Sequence, residues 1–176
     1  LQQLRWENQL HGDDGLTCLT YVDGTDCHIW EPPKTDNSRL PFDKKWYSHK
    51  SRGAGIRYEI ASCIKTGDIV FVNGPFPCGK WPNRKMFLRD LKNRLLPNKK
   101  IEANRGYRGD KKVRIPQDWV ALSDQKAKYN ASACHETING RLKNFKCLST
   151  KFWHKLSEHK HFFLLRIFFC FAGVIT

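Results

Sequence analysis

Asp23 follows a run of apolar and β-branched residues, Leu16, Thr17, Leu19, Thr20, Tyr21 and Val22, and Asp26, Ile29 and Trp30 come after it. The run reads as a strand that delivers a carboxylate to its end, with a turn at Gly24 and more strand beyond. An acid there needs a cation or a set of donors, because burying an unpaired charge is costly. Far downstream, in NASACHETINGRLKNFKCL, Ile138, Leu142 and Phe145 recur on one helical face, while Glu136, Asn139, Gly140 and Lys143 share the opposite one. Glu136 therefore points away from the core stripe, with small Gly140 beside it leaving room. Clustered carboxylates hold hard divalent cations through oxygen. Two such ions about 3.5–4 Å apart activate a water or a 3′-hydroxyl and stabilise the leaving oxygen in phosphoryl transfer.

The elements that must position these groups can be read in order. Residues 1–15 form an N-terminal approach segment that ends in the turn Gly12–Gly15, and 16–176 form one domain. Arg57 to Ile64 alternates with β character, Lys65–Asp68 is a turn, and Ile69–Val72 resumes strand, which makes an antiparallel meander. The Gly- and Pro-rich stretch Asn73–Pro82 is expected as a fixed irregular loop. Asn83 suits a helix N-cap, and Met86, Phe87, Leu91, Leu95 and Leu96 form an apolar stripe that Pro97 ends. KKIEAN is a short strand closing on Asn104, and the basic segment Arg105, Arg108, Lys111, Lys112 and Arg114 follows. Helical regions are expected from about Asn130 and over 152–171. This order predicts an α/β fold, a mixed sheet of antiparallel meander plus parallel strand, flanked by helices.

The chain's net charge is +14 and unevenly spread: residues 1–78 hold 9 Lys/Arg against 10 Asp/Glu, and residues 79–176 hold 22 against 7. A basic half joined to a neutral half suits a polyanion-binding face. The seven cysteines include no CxxC pair and no signal peptide is evident, which predicts a reducing compartment and no zinc site. His154, His159 and His161 are expected as surface histidines. The apolar tail HFFLLRIFFCFAGVIT contains Arg166 and is too short to span a bilayer, so a buried terminal element and no membrane partner are expected.

Four segments, YVDGTDCHIWEP, GIRYEIASCIKTGDIVFVNGPFPCGKWPNRKMF, IEANRGYRGD and HETINGRLKNFKCL, together resemble the DDE superfamily of transposase-derived endonucleases. The likeness covers most of 16–176 and is nearest to the Harbinger and insertion-sequence type of eukaryotes. It implies an RNase H-like fold, DNA as partner, a nuclear location, and Mg²⁺ or Mn²⁺ held by three acids. By motif match the first acid is Asp23 and the last is Glu136, both catalytic and metal-ligating. The second position falls on Asn104, 32 residues before Glu136, where the family pattern has Asp. The chain also reads as a fragment of a longer frame, which leaves room for a separate DNA-binding module.

An amide at the second position offers one neutral oxygen where the chemistry wants an anion, so weak metal binding and slow or absent cleavage are expected. Asp26 lies three residues past Asp23 and faces the other side of an extended strand. Asp110 is expected as a local ion-pair partner and Asp68 as a turn residue. His135 is expected to be an exposed neighbour of Glu136. Arg105, Arg108, Lys111, Lys112, Arg114 and Lys143 are candidates for DNA phosphates, and Trp81, Trp119 and Tyr107 for base stacking or core packing. Two functions stay open: a weakened DDE endonuclease, and an inactive, decayed or domesticated DNA-binding remnant. A basic ribosomal or RNA-binding protein is the third reading, and it does not need Asp23 and Glu136 to converge.

Overall fold

The computed structural model describes residues 17–34, 37, 39–64, 67–97, 99–115 and 122–171. Six strands are described: β1 (Thr17–His28), β2 (Tyr47–Ser48), β3 (Gly53–Cys63), β4 (Ile69–Pro77), β5 (Lys99–Ala103) and β6 (Val113–Arg114). The helices are α1 (Asn83–Arg89), α2 (Leu91–Arg94), α3 (Leu122–Lys143), α4 (Lys146–Ser149) and α5 (Leu156–Phe171). The strands form one mixed sheet in the order β2-β3-β1-β5-β6, with β4 also paired to β3. β5 runs parallel to both β1 and β6, and β2 runs antiparallel to β3. The sheet thus contains the mixed pairing that the sequence predicts.

Several boundaries differ. β1 runs through Gly24 without a turn, so Asp23 lies inside a strand and not at its end. β4 continues to Pro77 and takes in half of the stretch expected to be irregular. Its only described partner is β3, and an edge strand tolerates Pro because the missing N–H is not needed for a ladder. The helix expected from Asn130 begins at Leu122. The stripe after Asn83 is split at Asp90, and Leu96 is 48% exposed and lies outside it.

The chain contacts divide into two compact units. One comprises the segments up to Gly24, Glu59–Asn73 and Asn83–Ile138. Its core gathers Val22, Phe71, Phe87, Leu91, Ile101 and Tyr107, joined by smaller apolar side chains. Side chains of α1, α2 and five strands (β1, β3, β4, β5 and β6) meet there, which fixes β5 beside β1. The other unit comprises Thr25–Tyr58, Gly74–Pro82 and the chain from Asn139 onward. There Tyr58 and Phe163 stack with ring centroids 3.7 Å apart and planes 4° from parallel. His159 in α5 is fully buried and its Nδ1 lies 2.9 Å from the Tyr58 hydroxyl. It is a core histidine, not the surface residue expected, because α5 turns this side chain inward to the aromatic stack.

Candidate metal centre

The parallel ladder sets the geometry of the candidate centre. Tyr21 pairs with Glu102 and Val22 with Ala103, so the next step along β1 and past β5 is Asp23 beside Asn104. Asn104 Nδ2 donates to Asp23 Oδ1 at 2.6 Å. The Gly24 amide donates to the same oxygen at 2.7 Å, and Asn83 Nδ2 lies 3.5 Å from it. The other end of the Asn104 amide is also engaged. Its Oδ1 accepts from the Gly106 amide at 2.8 Å and caps the 3-10 turn Arg105–Tyr107. A backbone N–H can only donate, so the oxygen of Asn104 must face Gly106 and its nitrogen must face Asp23.

Glu136 enters from α3. Tyr21, on the same face of β1 as Asp23, packs its ring 5.2 Å from His135. Burial raises the Tyr21 pKa most; a hydrogen bond with Ser132 opposes this, and the charges of Asp23, Glu136 and Glu102 raise it further. Asp23 and Glu136 are therefore close enough to one tyrosine for both to act on it. Glu136 itself is exposed, and open space surrounds Gly140 one turn on. His135 differs from expectation: it is 1% exposed, with Nε2 3.4 Å from the Ile60 carbonyl oxygen. It lies on the inward face of α3, and that leaves the outward direction to its neighbour Glu136.

The donor set does not fit a divalent pair as it stands. A metal ligand must turn a lone pair to the ion, and the one oxygen of Asn104 is given to Gly106. The position instead presents N–H groups to the carboxylate, doing by hydrogen bonding part of what a cation would do by charge. Among the described residues no three His, Cys, Asp or Glu side chains gather to hold a metal ion.

The remaining sequence candidates separate by what their side chains touch. Arg105, Arg108 and Lys111, on the segment that follows Asn104, are exposed, and Arg114 is half-buried on β6. Lys112 Nζ instead donates to the Leu95 carbonyl at 2.8 Å, at the end of α2. Lys143 Nζ donates to the backbone carbonyls of Asp26 and, at 3.0 Å, Leu148. Asp26 is 6% exposed, bound by Arg57 through Nε at 2.6 Å and Nη2 at 2.9 Å and by the Ser48 hydroxyl. Burial alone would raise its pKa, and Arg57 and Ser48 outweigh that and hold it below the usual value. Asp110 pairs with Lys92 at 2.6 Å, the local role expected of it, and the Asp68 backbone carbonyl accepts from the Cys63 amide in the β3–β4 turn. Tyr107 is fully buried against Phe87, Trp81 stacks on Phe76, and Trp119 lies outside the described residues.

Two residues at the centre were not singled out for it by sequence. Asn83 stands in the sequence as a helix cap, yet its amide approaches Asp23. Gly106 is closely confined: a Cβ there would lie 2.9 Å from Asn104 Oδ1 and 3.2 Å from Asn83 Nδ2. The glycine directly after Asn104-Arg105 was the available signal for such a close approach.

No curated protein and no solved structure matched the chain. The family model described as DDE superfamily endonuclease matches residues 22–174. Since that match takes in β1 from Val22, all of β5 and all of α3, the chain belongs to the DDE superfamily endonuclease family.

Proposed function

We propose that this chain is a transposase-derived DNA-binding domain, of Harbinger-like type and RNase H-like fold, in which cleavage is suppressed at the second acidic position. The observation that carries this reading is the 2.6 Å hydrogen bond from Asn104 Nδ2 to Asp23 Oδ1, with Asn104 Oδ1 committed to Gly106. A hydrogen bond to a carboxylate contributes about 1.5–3 kcal/mol, and a divalent ion would have to displace it without gaining an anion in exchange. The exposed cations Arg105, Arg108 and Lys111, on the segment leaving this position, support contact with a phosphate backbone. The family and the chain's +14 charge support DNA as partner, and a nuclear location is part of the same proposal.

A second reading, slow cleavage dependent on Mg²⁺ or Mn²⁺, is favoured by the retention of two carboxylates, Asp23 and Glu136, that both act on Tyr21. Plasmid nicking in Mn²⁺, run beside DNA binding in EDTA, separates the two. Suppressed catalysis requires DNA binding without metal, little or no nicking, and nicking that rises in Asn104→Asp. Strong and equal nicking by both proteins would refute it.

A further inference from the structure

Trp30 and Trp153 remain open to solvent. Trp30 is 54% exposed and Trp153 67%, and their rings lie 4.4 Å apart, tilted by 32°. They are held there by backbone: Ile29 and Phe152 form a parallel bridge. The Trp30 amide donates to the Phe152 carbonyl at 2.9 Å, and the Phe152 amide donates to the His28 carbonyl at 3.0 Å. Ile29 and Phe152 are both buried, so the two indoles project from an anchored segment. Lys151 Nζ lies 5.4 Å from the Trp30 ring centroid and 6.0 Å from that of Trp153, and 3.5 Å from the Glu31 carboxylate.

The surroundings discriminate between occupants. From Arg141 to His161 the chain carries six Lys/Arg and one acid, Glu158, and Glu31 beside Trp30 brings the acids near the pair to two, still outnumbered by the cations. An apolar protein surface gains nothing from that charge, whereas a nucleic-acid strand offers phosphates and base faces together. Stacking on aromatic rings is sequence-tolerant because every base has a π-face, and a nearby cation adds to it. Inside a duplex both faces of a base are already covered. We propose that Trp30 and Trp153, with Lys151, form a stacking platform for an unpaired base of single-stranded DNA, Lys151 taking an adjoining phosphate. This platform rests on the DNA-binding reading above but makes a separate demand, a preference for an exposed base.

The test uses fluorescence anisotropy with a short labelled thymidine oligonucleotide, the same strand carrying abasic residues that keep its phosphates, and a duplex of equal length. The platform requires the intact strand to bind about tenfold tighter than the abasic one. Trp153→Ala and Trp30→Ala abolish that preference and leave duplex affinity unchanged, while Trp153→Phe retains it. Both tryptophans are exposed, so the alanine variants keep the fold, which circular dichroism checks. Equal binding of intact and abasic strands with duplex binding preserved would overturn the platform alone and turn the patch over to an apolar protein partner. Failure to bind any of the three would remove the DNA-binding reading as well.

Discussion

A carboxamide has one acceptor end and one donor end, and Asn104 has placed both. The donor end faces Asp23 and the acceptor end faces Gly106, so replacing the amide with a carboxylate would set two anions against each other. The position of this third corner was legible from sequence, because an amide stands where the motif has an acid. The direction in which the amide points was not, since it depends on which neighbour supplies a backbone N–H. Gly106→Ala tests the confinement. With a Cβ 2.9 Å from Asn104 Oδ1, the asparagine amide must shift from the Gly106 N–H, and the variant should lose about 0.5–1.5 kcal/mol, the usual net worth of one hydrogen bond. Urea denaturation measures it, and an unchanged midpoint would mean the two asparagine amides are free to shift.

At the scale of elements, sequence reading succeeded where periodicity and partner agreed. KKIEA is β5, as expected up to Asn104, and it lies parallel to β1 with Ile101 and Ala103 entering the same core as Val22. It failed where local chemistry was outvoted. Gly24 and Pro77 suggest breaks, yet the ladder carries β1 through the glycine and the edge location lets β4 keep its prolines. The first turns of α3, LSDQKAKYN, show no apolar stripe to announce a helix.

Basic residues divide in the same way, and charge alone could not tell the two kinds apart. Arg105→Ala, Arg108→Ala and Lys111→Ala should each weaken DNA binding at low salt and lower the salt slope by about 1, and Arg108→Ala and Lys111→Ala should do so with little effect on melting. Lys143→Ala should do the reverse. It orphans the backbone acceptors of Asp26 and Leu148 and should cost about 1–3 kcal/mol of stability. Binding titrations over a salt series, paired with denaturation, check both halves.

For the whole molecule, two buried groups pull stability in opposite directions with pH. Burial pushes the Glu59 carboxyl up to about 8. Its contribution is full below about 4.5, the ordinary value of a glutamate carboxyl, and is lost as pH rises through about 8. Burial pushes His159 down to about 4. Its contribution is full above about 6.5 and is lost as pH falls through about 4. Stability should therefore decline on both sides of a mildly acidic optimum. Glu59→Gln should remove the decline on the alkaline side and leave the acid side intact, as read from urea midpoints across pH. A parallel loss on the alkaline side in Glu59→Gln would assign it to another group. Neither residue announces itself in sequence: Glu59 sits in an ordinary strand, and His159 shares a basic stretch with two other histidines.

At Asp23 a hydrogen bond from Asn104 stands where a cation would otherwise be needed. Thermal melting across a Mn²⁺ titration tests it on the wild-type chain and on Asn104→Asp. The wild type should melt at one temperature with or without Mn²⁺. Asn104→Asp should melt lower in EDTA, where Asp23 faces a second carboxylate, and recover as Mn²⁺ binds the folded state. A wild-type chain that Mn²⁺ stabilises as strongly as it does Asn104→Asp would contradict the account.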